Sequence, residues 1–169
     1  MVQGAAGGES PAVPAAGLGD EGADVGPLAG MVGYALRRAQ LAVFDQLITA
    51  FSSLDLRPAQ YSVLVLLEYA PGLKQSDVAG ALGIQRANFV VLFDGLERRG
   101  LAQRRPAAGD RRSYALYLTE AGKDVLACAR RLEVELEGRL DAKLGPGGRR
   151  QLLELLGRLR SRPSADGGL

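Results

Sequence analysis

The chain of 169 residues carries 21 Lys and Arg against 19 Asp and Glu, one Cys and neither His nor Trp, and 47% of it is hydrophobic. That suffices for one core of ordinary domain size with tails. It excludes an imidazole base for a Ser or Cys nucleophile, an imidazole zinc ligand, an internal disulfide and a Cys-rich metal site.

The net charge of +2 conceals an asymmetry. Residues 1–30 hold Glu9, Asp20, Glu21 and Asp24 and no Lys or Arg, which leaves 21 bases against 15 acids, a charge of +6, for the remainder. The same 30 residues contain 8 Gly, 3 Pro and 7 Ala, too little apolar surface to offset ordering, so residues 1–27 read as a disordered acidic tail. Gly17-Leu-Gly19-Asp-Glu-Gly22 matches a dinucleotide-binding fingerprint. Pro11 and Pro14 occupy the place of the strand it needs, and the match is discarded. No signal peptide and no membrane-spanning run is recognisable, so the expectation is a soluble cytoplasmic protein.

From Leu28 to Phe51 apolar residues recur every three or four positions (Leu28, Val32, Leu36, Ala39, Val43, Leu47, Phe51), which predicts one long amphipathic helix. Pro58 fits the first position of a second helix that Pro71-Gly72 ends. A short helix over 75–82 stops at Gly83. Another runs from near Gln85 to Arg99, with Phe89, Leu92, Phe93 and Leu96 inward and Gly100 as its stop. Periodicity then changes. Residues 101–105 and 114–118 flank Pro106-Ala-Ala-Gly-Asp110 as a hairpin with a basic tip. Thr119 caps a helix to about Leu144, with Val125, Ala129, Leu132, Leu136 and Leu140 on one stripe. Gly145-Pro-Gly-Gly148 breaks it, a leucine-rich helix spans 149–160, and 161–169 reads as a frayed end.

The fold class is therefore mainly α with a small β-hairpin wing, a winged helix-turn-helix plus a helical dimerisation region. The second helix of the pair offers Gln85, Arg86, Ala87, Asn88, Val90 and Val91 outward. Gln85 and Asn88 suit adenine, Arg86 suits guanine or phosphate, and Val91 can meet a thymine methyl. The competing reading is that Gln85 and Asn88 only cap the helix. Arg98, Arg99, Arg104, Arg105, Arg111 and Arg112 are opposed within 98–112 only by Asp110. Such a run is either a solvated face or a phosphate-binding patch.

The stretch Lys74-Gln-Ser-Asp-Val-Ala through Leu82-Gly-Ile-Gln-Arg-Ala-Asn-Phe-Val-Val-Leu-Phe-Asp-Gly-Leu-Glu-Arg-Arg-Gly-Leu resembles the MarR family of bacterial transcription regulators. So does Asp110-Arg-Arg-Ser-Tyr-Ala-Leu-Tyr-Leu-Thr-Glu-Ala-Gly122, which is similar to that family's wing pattern D-x-R followed by L-T-x-x-G. The resemblance spans about 28–160. It implies a winged module over 58–118 and interlocking dimerisation helices over 28–52 and 119–160. It further implies a homodimer on a palindromic double-stranded DNA operator, usually a repressor released by a small ligand. By resemblance Arg112 is the wing arginine of the minor groove, oriented by Asp110, with Arg105, Arg111 and Ser113 beside it. Lys74, Arg57 and Val91 depart from the Ser or Thr caps and the polar reader common in the family.

Leu152, Leu153, Leu155, Leu156 and Leu159 cover more than one helix face, which argues for dimerisation independently. For the effector, Tyr34, Arg37, Arg38, Phe44 and Tyr61 offer an aromatic wall and cations for an anionic aromatic ligand, a phenolic acid or its CoA thioester. The alternative is aromatics in the core and arginines in surface ion pairs. Cys128, beside the stripe of Val125, Ala129 and Leu132, is expected to be buried and inert, which leaves redox control through Cys128 a secondary alternative. Asp94, Glu97, Asp110 and Glu133-x-Glu135-x-Glu137 lack a partner set for catalysis, so no catalytic residue, cofactor or metal is expected. The main rival function is a protein-interaction module without DNA binding.

Overall fold

The structure, a computed structural model, describes residues 25–107 and 110–160, with the backbone alone for 110–113. The expected N-terminal tail lies outside the described residues apart from its last positions, and the C-terminal tail lies wholly outside them. Two compact units divide the chain after Val43.

The first unit contributes a 3-10 turn, Gly26–Gly30, and the opening of α1 (Val32–Phe51). The expected single helix from Leu28 is thus interrupted. Gly26 takes φ +49, Pro27 follows it, and Met31 is extended at φ −91 and ψ 120, so helical hydrogen bonding starts afresh beyond it. Within this unit no described residue is buried.

The second unit holds the end of α1, then α2 (Pro58–Tyr69), α3 (Gln75–Ala81), α4 (Arg86–Arg98), β1 (Ala102–Ala107), β2 (Asp110–Leu118), α5 (Glu120–Leu144) and α6 (Gly148–Arg160). Its core gathers Phe51, Val63, Leu64, Leu67, Val78, Phe89, Phe93, Leu96, Leu116 and Leu126, one or more from every element except α6 and β1. Strand β1 adds Ala102.

Pro58 does open α2, and the cap site Arg57, whose side chain cannot accept a hydrogen bond, is served in reverse: its N–H donates to Gln60 Oε1 at 3.0 Å. The expected stop at Pro71-Gly72 has a second role that helix signals do not disclose. Gly72 N–H donates to Leu116 O (2.9 Å) and Leu116 N–H to Leu73 O (3.0 Å), so the α2–α3 connection pairs with β2. The α3–α4 turn passes through Gly83 at φ +64, left-handed backbone that suits glycine.

The hairpin is longer than the sequence suggests. β1 and β2 are antiparallel from Ala102↔Leu118 to Pro106↔Tyr114, and the register then shifts between Pro106 and Ala107. Thr119 caps α5 as expected, its Oγ1 accepting from Gly122 N–H at 3.0 Å and donating to Gly100 O at 2.6 Å. Helix α5 buries Gly122, Leu126, Ala129 and Leu136, and the expected Val125 and Leu132 pack half-buried against the same core, so the stripe is widened on the Leu126 side. Cys128 is consequently exposed, not buried, because Leu126 and Ala129 on either side of it take the core face.

Candidate DNA-binding surface and effector clefts

Helix α4 is amphipathic in the sense a recognition helix requires. Phe89, Phe93 and Leu96 are fully buried, with the two phenylalanine rings stacked at 5.9 Å. Gln85, Arg86, Ala87, Asn88, Val90 and Val91 are exposed, Val91 most of all at 70%. Gln85 occupies the N-cap position of α4, with extended backbone at φ −60 and ψ 140, and its side chain makes no cap hydrogen bond there. The first turn of α4 carries no acidic residue, and its N-terminus is the positive end of the helix dipole, the end of a helix that favours anions.

The basic run behind α4 resolves into unlike parts. Arg99 donates to Leu54 O at 2.9 Å and to Asp55 O, fastening the end of α4 to the turn after α1. Asp55 there is the single non-glycine residue at positive φ among those described, at 47°. Arg98 Nε donates to Asp94 O at 3.3 Å. Arg104 pairs with Asp94 and Glu97. Opposition to the run therefore comes from outside 98–112, and Arg99 and Arg104 are structural. Arg105 is exposed, its guanidinium lying over the Tyr117 ring at 4.7 Å. Asp110, Arg111, Arg112 and Ser113 fall on the β2 backbone; their side chains, and the expected Asp110–Arg112 bond, lie outside the described residues.

The expected effector residues are distributed. Tyr34, Arg37 and Arg38 belong to the first unit, where Tyr34 and Arg38 share a face of α1, both half-buried, and Arg37 is exposed. Phe44 and Tyr61 belong to the second unit, where they line different hollows. Phe44 lines a cleft of about 490 Å³ with Ile48, Leu56, Arg57, Pro58 and Ala59. Tyr61 lines one of about 340 Å³ with Ser62, Val65, Leu66, Tyr69 and Leu82. The Tyr61 ring lies 4.9 Å from that of Phe51, tilted by 44°. Burial, reinforced by the Glu133 carboxylate, raises the Tyr61 phenol above its usual pKa, so it remains a hydrogen-bond donor through the neutral range. Sequence reasoning missed Ile48 and Tyr69 as cleft residues and treated Arg57 only as a cap. Tyr69 is the last residue of α2 and shares a face with the half-buried Val65 four residues before it, yet it is 87% exposed.

Among the described residues no group of three or more Cys, Asp or Glu side chains could hold a metal ion, and no helix is long and apolar enough to cross a membrane.

Comparison with known proteins adds a family context. A family model described as MarR family matches residues 54–113. A protein from Thauera aromatica named as a transcriptional regulatory protein for the hcr operon is 33% identical over 79% of this chain and 81% of its own length. The transcriptional repressor CouR bound to a 23-mer DNA duplex is 42% identical, with a TM-score of 0.78, across 83% of this chain and 99% of that one. The transcriptional repressor CouR bound to p-coumaroyl-CoA is 40% identical, with a TM-score of 0.76, across 82% and 99%.

Proposed function

Since the chain belongs to the MarR family of transcriptional regulators, we propose that it is a homodimeric repressor of a palindromic operator, released by an anionic aromatic effector of the aromatic acyl-CoA class. The carrying observation is helix α4, which commits Phe89, Phe93 and Leu96 to the core and leaves Gln85, Arg86, Ala87, Asn88 and Val91 to a major groove, with the hairpin immediately behind it. Arg105, Asp110, Arg111, Arg112 and Ser113 would then meet backbone or minor groove from the wing.

The homodimer is supported by α6. Leu152, Leu153, Leu155 and Leu159 are 40–60% exposed in one chain, and the helix buries nothing. So apolar a face calls for a cover, and a second copy supplies one with matching symmetry. The two α4 helices of such a dimer would sit about 34–36 Å apart, one DNA turn.

The effector class rests on likeness to a repressor that binds p-coumaroyl-CoA and on the aromatic side chains available here. Phe44 with Arg57, Tyr61 with Tyr69, and Tyr34 with Arg37 and Arg38 each pair a flat apolar surface with a polar or cationic group. A ligand that binds the folded chain raises its melting temperature by mass action. Differential scanning fluorimetry with p-coumaroyl-CoA, benzoyl-CoA, the free acids and CoA alone tests the class. Thioesters should raise the midpoint and release the chain from DNA enriched out of a random pool; no response to any thioester by a DNA-binding sample refutes it.

A further inference from the structure

Arg104 stands in the middle of the basic run, yet its side chain is only 17% exposed. Its backbone N–H donates to Glu97 Oε1 at 2.9 Å, and its guanidinium meets Asp94 Oδ1 at 2.8 Å through Nη2 and Glu97 Oε2 through Nη1. Nε reaches Gln75 Oε1 at 3.4 Å, and the guanidinium carbon lies 4.6 Å from the centre of the buried Phe93 ring. One side chain thus joins the start of α3, two turns of α4 and β1. A planar fork with five donors can do this; an ammonium cannot reproduce it.

The two carboxylates matter because of where they sit. Asp94 follows Val91 by three residues, hence on the same face of α4, and the hollow beside them is lined by Val91, Asp94, Glu97 and Arg98. The Asp94 and Glu97 side chains remain 47% and 38% exposed even when paired. A duplex laid along the outward residues of α4 would bring phosphates toward two negative charges, a repulsion that acts on every sequence alike.

We propose that Arg104 is a positioning residue for DNA binding: it masks Asp94 and Glu97 from the phosphate backbone while holding the wing against α4, and it does not itself contact DNA. The inference rests on the DNA-binding reading above. Its consequence is that an arginine in the basic patch acts by cancelling acid, and that the acid, not the loss of a base, is what weakens binding when the arginine is removed.

The test measures binding of the full chain to a mixed-sequence duplex by fluorescence anisotropy across a salt series, with urea melts on the same samples. Arg104→Met is expected to weaken binding about tenfold at low salt, since two unmasked carboxylates then face phosphates. Arg104→Met with Asp94→Asn and Glu97→Gln should recover most of that loss. A triple variant as weak as the single one overturns the proposal, because the two carboxylates would then not be the cause of the loss. Asp94→Asn/Glu97→Gln with Arg104 retained needs no destabilised arginine variant; because both acids are already paired with Arg104, it should change binding far less than the same pair of changes does in the Arg104→Met background, and an equal gain in both backgrounds also refutes the masking. A parent chain that binds no duplex at low salt would instead refute the DNA-binding reading itself.

Discussion

Replacing Gly122 by alanine should destabilise the protein far more than a single methyl ordinarily does. A Cβ at that position would lie 2.0 Å from Leu101 O, 2.9 Å from Leu101 C and 2.8 Å from Leu118 Cδ1. An ordinary carbon–oxygen contact is about 3.3 Å or more, so backbone must retreat by over an ångström. Leu101 cannot retreat alone: its carbonyl accepts from Thr119 N–H at 3.1 Å and its own N–H bonds to Leu96 O at 3.0 Å. Overpacking of this kind costs about 1–3 kcal/mol. Loosening the Thr119 bonds adds about 1 kcal/mol each, and the better helix propensity of alanine returns less than about 1 kcal/mol at a first-turn position. The expected net loss is about 2–4 kcal/mol, a large part of a typical ~5–15 kcal/mol. Urea unfolding followed by far-ultraviolet circular dichroism, at one fixed protein concentration, measures it. Gly138→Ala in the same helix is the control: nothing lies within 4 Å of its Cβ, and a gain of about 0.5–1 kcal/mol is expected there. A Gly122→Ala midpoint indistinguishable from the parent's, or an equal loss at both glycines, would refute the steric argument.

Further outcomes follow from other contacts. Because the Tyr61 phenol is raised above 10.0 by burial and by Glu133, the native state holds that proton longer than the unfolded chain does. Stability present below pH 10 is therefore lost as pH climbs through the raised value, and Tyr61→Phe should flatten this part of a stability profile taken from pH 8.5 to 11. Arg99→Met removes donors to Leu54 O and Asp55 O and should cost about 1–3 kcal/mol by chemical denaturation, with little change in the salt dependence of DNA binding. Leu153→Lys with Leu159→Lys, both 60% exposed in the single chain, should halve the mass seen by sedimentation equilibrium; an intact dimer would contradict the role given to α6. Arg105→Ala should weaken duplex binding and reduce the slope of log K against log salt by about one unit, as loss of one phosphate contact does.

Local signals were legible where short-range chemistry decides. Pro58, Gly83, Gly100 and Thr119 mark element ends through φ preference or capping, and the spacing of Phe89, Phe93 and Leu96 gave the inward face of α4 to the residue. Whatever depends on partners distant in sequence was not legible. The pairing of Arg104 with Asp94 and Glu97 requires the hairpin to fold back along α4, and the bonds of Gly72 and Leu73 to Leu116 span more than forty residues. The depth of burial along α5 was not legible for a related reason. Val125 and Leu126 are both apolar and both pack against the core, and only packing against the winged module decides that Leu126 takes the deeper place. With that choice went the exposure of Cys128. Phe44 and Tyr61 line different hollows of the second unit because equal side-chain chemistry on α1 and α2 says nothing about which way each helix turns.

The joint at Thr119 gives α5 a mechanical character. The helix is 25 residues long, about 37 Å at 1.5 Å per residue, and at its first turn it has no slack: one hydroxyl bonds both to its own helix and to the end of α4, and a glycine lies flush against the chain entering β1. Such an element behaves as a stiff beam clamped at its first turn and bedded along its buried positions as far as Leu136. A tilt of about 5° sweeps its free end through about 3 Å, as much as separates a hydrogen bond from an empty gap. The beam works equally in reverse, so anything gripping its far half strains the clamp, and the clamp is built from the residues that carry the wing.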